Sequence, residues 1–211
     1  MYWTRTCARG RIRVSAVDGR LVLAVDMQDL FRRSVESFGA KVRALRVDQW
    51  ALPTPCTDWD VHALVNHLVY EMRWAVPLFD GATVAAVGSR FDGDLLGDVP
   101  VRAWDDAATA AVASVSTPGA MQRTVHLSFG DFPGEEYTAQ LFADLVVHGW
   151  DLARATGRDD TIEPNLLGPL GDWFADRAAS YRSSGAIGPR PELPDDAGPQ
   201  AVLLADFGRA S

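Results

Sequence analysis

Residues 133–157, "PGEEYTAQLFADLVVHGWDLARATG", constrain the fold more than any other part of the chain. Glu135 and Glu136 suit the first turn of a helix and Gly157 suits its end. Between them Leu141, Leu145, Val147 and Leu152 leave little polar surface, so this helix must be covered by neighbours. Yet the same stretch carries Asp144, His148 and Asp151. Positions four apart on an α-helix are offset by about 40° around the axis and roughly 6 Å along it, which points Asp144 and His148 the same way. Asp151, two turns from Asp144, returns close to the same angle, so all three can face one interior seam. Buried without partners, such groups would cost several kcal/mol or change protonation state. Something inside the fold has to meet them.

The rest of the chain supplies the covering elements. From Met27, Leu30, Phe31, Val35, Phe38, Val42 and Leu45 recur at helical spacing. A second helix is predicted from Asp58 to Asp80, with Thr57 and Asp60 resembling a capping box and Gly81 closing it. The Ala-rich "RAWDDAATAAVASVS" predicts a third helix ended by "TPG" at 117–119, the stretch from Pro133 to Gly157 a fourth, and Glu163 to Ser183 a fifth helical segment. "QRTVHLSFG" alternates Val125, Leu127 and Phe129 with polar residues and reads as a short strand or extended edge segment. The fold class expected is all-α: a four-helix bundle with a short extended segment and a small C-terminal appendage. Residues 1–26 are expected to be a poorly patterned extension, consistent with an over-extended gene start at a true Met27. Residues 27–185 form the bundle, and 186–211 an appendage whose "AVLLADFG" docks on the body.

Charge and composition remove several function classes. With 28 acidic against 20 basic residues and a net charge of −8, the chain is unsuited to a phosphate polyanion, and nucleic acid is not expected as a partner. No apolar run approaches the roughly 20 residues needed to span a bilayer, so no membrane partner is expected. Arg5, Arg9, Arg11 and Arg13 precede "LVLAV", but that core is too short for a secretory signal, which makes the expected location cytoplasmic. Cys7 and Cys56 lack C-x-x-C spacing and suggest neither a disulfide framework nor a zinc ribbon. Cys56 precedes a helix start but reads as a buried, inert thiol.

Two readings of the ionisable row are open on spacing alone. In one, Asp144 and His148 supply two ligands to a divalent metal and a third comes from another helix. The best third ligand is His67, bracketed by Leu64 and Leu68 on the inward face, with Glu71 one turn on. His62 falls well round that helix and is expected at the surface, while His126 either lines the same pocket or faces water. In the other reading Asp144 and His148 form an i,i+4 ion pair, Asp151 binds Arg154 or a helix terminus, and no metal is involved. Trp59, Trp74 and Trp150 read as core or rim packing.

"PTPCTDWDVHALVNHL", followed later by "DLVVHGWDLARATGR", resembles the mycothiol-dependent maleylpyruvate isomerase-like group of the DinB-like metal-binding four-helix bundles. "FDGDLLGDVPVRAWDDA", "HLSFGDFPGEEY" and "LPDDAGPQAVLLADFGR" look like an actinobacterial branch of uncharacterised metal-binding proteins in that group. The resemblance runs from about Met27 to the end. It implies a metal site on a histidine late in the second-helix motif and on an acid-or-histidine and a histidine of the fourth helix, which fall on His67, Asp144 and His148. Relatives carry Glu or His where this chain has the shorter Asp144. Asp151 of "HGWDLA" would orient a ligand or a neighbouring helix.

The function expected from residues and resemblance together is a divalent-metal protein, with zinc ahead of nickel or iron. Mycothiol would be its thiol cosubstrate and a small electrophile its second substrate, in isomerase or S-transferase chemistry. Two alternatives share the same residues: a metal-dependent hydrolase using activated water, and a non-catalytic metal-binding or interaction protein whose shell is closed by Asp151 or Glu71.

Overall fold

The computed structural model describes residues 26–210 in full, together with the backbone of 14–17 and 20–23. Strands β1 (Val14–Val17) and β2 (Arg20–Leu23) pair antiparallel with Val17 opposite Arg20. These two short strands lie within the segment expected to be a poorly patterned extension. The gene-start reading of residues 1–26 lies outside the described residues.

Helix α1 (Met27–Arg43) is capped by the Asp26 side chain, which accepts from the Gln28 N–H, and buries Phe31, Val35, Phe38 and Val42 on one face. Helix α2 spans Val61–Phe79. Its cap is Asp60, accepting from the Ala63 N–H at 2.8 Å, and not Thr57. The helix begins later than expected because the preceding "PTPCTDW" folds on itself. Thr54 Oγ1 donates to the carbonyls of Trp59 and Cys56, at 2.8 and 3.1 Å, and so competes with helical bonding there. The turn-rich segment that follows holds the single turn α3 (Val84–Val87). Helix α4 (Pro100–Val115) starts with proline in its first turn and buries Trp104, Ala107, Ala108 and Ala111.

The predicted extended segment is one half of a hairpin, β3 (Thr124–Leu127) with β4 (Gly130–Pro133), in which Val125 faces Phe132 and His126 faces Asp131. Helix α5 (Gly134–Ala155) leaves this hairpin directly. Gly134 is the only residue that fits its start, since a Cβ there would lie 2.0 Å from the Ala120 carbonyl oxygen. The fifth segment is two helices, α6 (Pro164–Phe174) and α7 (Ala178–Ser183), and not one continuous helix. The chain turns between them where Arg177 is pulled back by the Trp173 carbonyl at 2.6 Å and by Glu136 of α5 at 2.8 Å. Helix α8 (Pro199–Asp206) closes the chain.

The protein is thus mostly helical, with two small two-stranded sheets among the described residues. Helices α1 and α2 each pack against both α4 and α5, enclosing a core built on Phe31, Phe38, Leu64, Leu68, Met72 and Trp104. A second apolar cluster lies on the other side of α5, where Phe142, Trp150, Leu170, Phe174 and Leu204 bring α6 and α8 against it. Phe174 and Phe207 stack with centroids 3.8 Å apart, bringing the end of α8 against α6. Covered on both sides, α5 has almost no solvent face. That accounts for its apolar sequence and places its ionisable row at an interior seam. No helix among the described residues is long and apolar enough to cross a membrane.

Candidate metal centre

His67 from α2 and Asp144 and His148 from α5 converge, with one donor atom of each lying within 4.8 Å of the others. Asp144 stands between the two rings. Its Oδ2 accepts from His67 Nε2 at 3.0 Å, and its Oδ1 lies 3.3 Å from His148 Nε2. The shorter aspartate arm thus reaches both histidines. The helix spacing explains the pair on α5, and the inward face of α2 between Leu64 and Leu68 explains His67.

Asp151 lies behind this cluster. It is fully buried, and its Oδ2 accepts from His148 Nδ1 at 2.9 Å, which turns the Nε2 of the same ring toward Asp144. Its partners are His148 and Arg209, and not Arg154, which pairs with Asp160 at 3.1 Å. Trp59 covers the front of the cluster, tilted across His67 at 4.6 Å and His148 at 5.3 Å between ring centroids. Of the three tryptophans read as packing, Trp74 and Trp150 are core residues, whereas Trp59 is a wall of the site.

The charges follow from this arrangement. Burial works against a charged His148, but the Asp144 carboxylate and the bond to Asp151 outweigh it and push the ring up to about 9. Burial likewise opposes charge on His67, and Asp144 again raises it. Burial alone would raise Asp144, yet the two imidazoliums hold it well below the usual carboxylate range. Glu71 has no hydrogen-bond partner among the described residues. Burial, then the charge of Asp144, pushes it up to about 7.

The cluster opens into a cleft of about 1310 Å³. Its lining includes Cys56, Glu71, Tyr137, Trp173, Arg177 and Arg209, so helices α6 to α8 contribute a wall of their own. Cys56 is therefore half-buried at the cleft and not sealed in a core, and burial raises its thiol. His126 does not join the site. It bonds Asp131 across the hairpin at 2.7 Å, and His62 sits half-exposed near Asp94. Sequence reasoning missed Arg209 and the Arg177–Glu136 pair, whose partners lie 58 and 41 residues away in the chain.

Two imidazole nitrogens and a carboxylate oxygen are the donor set of a borderline divalent cation, and one side of this set faces the cleft. As they stand the three residues form an ion-paired network, with Asp144 between the two histidines.

The family described as mycothiol maleylpyruvate isomerase N-terminal domain matches residues 31–153. An uncharacterized protein of Mycobacterium tuberculosis, found in strains CDC 1551 / Oshkosh and ATCC 25618 / H37Rv, is 32% identical over 139 residues, covering 64% of this chain and 70% of the relative. No solved structure matches the chain.

Proposed function

The chain belongs to the mycothiol maleylpyruvate isomerase N-terminal domain family, and from that premise we propose that it is a DinB-like bundle enzyme holding a divalent cation on His67, Asp144 and His148 and using mycothiol as a thiol cosubstrate. The reaction proposed is an isomerisation or S-transfer on a small electrophile, in the cytoplasm, where thiols stay reduced. The observation that carries this reading is the convergence of three donors from two helices on one side of a large cleft. Zinc suits the donor set best, ahead of nickel or iron. When bound, such a cation supplies Lewis acidity that holds a thiol as thiolate at neutral pH.

The remaining work falls to the chain's own residues. His148 is oriented by the Asp151 carboxylate, and Trp59 shields the rings of both histidines from solvent. Glu71 lines the cleft one turn from His67, where its carboxyl can exchange a proton with a bound substrate. Cys56 lines the same cleft, but burial raises its thiol, which supports a nucleophile brought in from outside over one supplied by the chain. Both arginines of the lining are already engaged, Arg177 by Glu136 and Arg209 by Asp151.

The test is elemental analysis of tag-free protein beside His67→Ala and His148→Ala variants, followed by thiol binding. Near-stoichiometric metal lost in both variants, with a melting shift of the loaded protein on adding mycothiol, is the expected result. A parent that takes up neither zinc, nickel nor iron on titration overturns the metal reading. A loaded parent indifferent to mycothiol overturns the thiol reading and leaves a metal-binding protein.

A further inference from the structure

We propose that Arg209, outside the matched family region and near the C-terminus, is a positioning residue that fixes the His148 imidazole through Asp151, so that the C-terminal segment completes the metal centre. The consequence for metal binding rests on the function proposed above. The positioning itself does not.

Arg209 grips Asp151 with two prongs, Nε to Oδ1 at 2.9 Å and Nη2 to Oδ2 at 2.8 Å, while its Nη1 donates to the Phe207 carbonyl at 3.2 Å. Asp151 has no exposed surface, so its charge must be met inside the protein. Arg209 supplies the countercharge and fixes the plane of the carboxylate, since a guanidinium fork engages both oxygens at once. With that plane fixed, Oδ2 can receive His148 Nδ1 at 2.9 Å, and the ring presents Nε2 toward Asp144. Released from Arg209, Asp151 would be a buried carboxylate held only by the histidine it is meant to orient.

The chain end is built to deliver this side chain. Helix α8 terminates in a left-handed glycine cap: the Arg209 N–H bonds the Leu204 carbonyl at 2.8 Å and the Gly208 N–H bonds that of Ala205 at 2.9 Å. Gly208 has φ +77°, and a Cβ there would come within 3.1 Å of the Gly188 backbone. A residue with a side chain is therefore disfavoured on both counts. Leu203, Leu204 and Phe207 anchor the same helix in the apolar cluster behind α5. Cap and anchor together turn the chain so that Arg209 enters the site. The family match stops at residue 153 and includes His67, Asp144, His148 and Asp151 but not Arg209.

Full-length Arg209→Ala, Arg209→Lys and Asp151→Asn variants test this with two readouts. In metal-free, ¹⁵N-labelled protein, the His148 Nδ1–H signal, assigned by its loss in His148→Ala, reports the bond to Asp151. With zinc as the probe, chelator competition gives Kd. We expect the Nδ1–H signal to disappear in Arg209→Ala and Asp151→Asn, and zinc Kd to weaken about 10–100-fold, the usual cost of losing a ligand-orienting partner. The double variant should lose no more than the worse single one, because both act on one ring nitrogen. Arg209→Lys should lie between, keeping the charge but not the two-pronged hold. Arg209→Ala with a lowered melting temperature but a parental signal and Kd would overturn the proposal. If Arg209→Ala does not fold, Arg209→Lys decides: parental values for both readouts count against it. If the parent takes up no zinc, the function proposed above fails, and the Nδ1–H signal still judges the positioning.

Discussion

The Trp59 indole is tilted across the His67 imidazole with ring centroids 4.6 Å apart, held there by a loop that Thr54 ties together through the Trp59 carbonyl. Binding at His67 therefore takes place against an intrinsic fluorophore. We expect Co²⁺ to quench part of the tryptophan emission in a saturable titration, and Trp59→Phe to remove most of that quench with little change in zinc affinity. A quench that persists undiminished in Trp59→Phe would mean that the cation binds elsewhere. The other tryptophans serve as the internal reference.

Gly134 and Gly171 make opposite predictions from the same substitution. A Cβ at Gly134 would lie 2.0 Å from the Ala120 carbonyl oxygen and 2.9 Å from Phe79 Cε1, at the joint between β4 and α5. Gly134→Ala should cost about 1–3 kcal/mol as an overpacked site, at about 2–4 °C of melting temperature per kcal/mol for a domain of this size. Gly171, inside α6, has nothing within 4 Å of its Cβ position. Gly171→Ala should stabilise by about 0.5–1 kcal/mol, the helix-interior penalty of glycine. Thermal melts of the two variants against the parent check both signs.

What was readable in the sequence was local. Asp144, His148 and Asp151 sit on one helix, so their common face follows from helical spacing alone, and His67 follows from Leu64 and Leu68 on either side of it. The helical class was legible for the same reason, because each long helix shows its own apolar stripe. Features that depend on distant partners were not. Arg209 looks like an ordinary terminal arginine until the Gly208 cap turns it onto Asp151, and the break after Phe174 exists because Arg177 answers Glu136 on another helix. The start of α2 at Val61 was hidden by a capping-box pattern at Thr57, since Thr54 rather than Thr57 organises that loop. For β4, the residues 130–133 carry only two large side chains, Phe132 and Pro133, too short a run for an alternation to register.

Cys56 should be a slow thiol. Burial raises it above its ordinary range, and the nearby Arg209 charge only partly offsets this. In a Cys7→Ser background, iodoacetamide should modify Cys56 far more slowly than glutathione at pH 7, and the gap should close above pH 9 as the thiolate forms. Rapid alkylation at neutral pH would instead make Cys56 a nucleophile in its own right and remove one support for an external thiol.

Two groups at the site, His148 and Glu71, should make the metal-free protein lose stability as the pH rises. His148 is pushed from 6.5 up to about 9: burial opposes the charged ring, but Asp144 and Asp151 outweigh it. Its folded value lies above the unfolded one, so its contribution is complete below pH 6.5 and is lost as the pH climbs through about 9. Glu71 is pushed from 4.5 to about 7 by burial and then by the charge of Asp144. The fold favours its neutral form, so that contribution is complete below pH 4.5 and lost through about 7. Asp144 has the opposite sign, and its contribution is lost only in acid, below the ordinary carboxylate range. Melting temperature of the metal-free protein should therefore fall steadily from mildly acidic pH toward pH 9, and Glu71→Gln should remove the lower part of that fall. Zinc competes with the proton on His148, so its affinity should rise over the same upper range. At pH 7, calorimetric titrations in buffers of different ionisation enthalpy should detect at least one proton released per zinc bound. A flat melting profile together with proton-neutral binding would mean that His148 is already deprotonated at neutral pH, and that Asp144 does not hold the two rings as an ion-paired network.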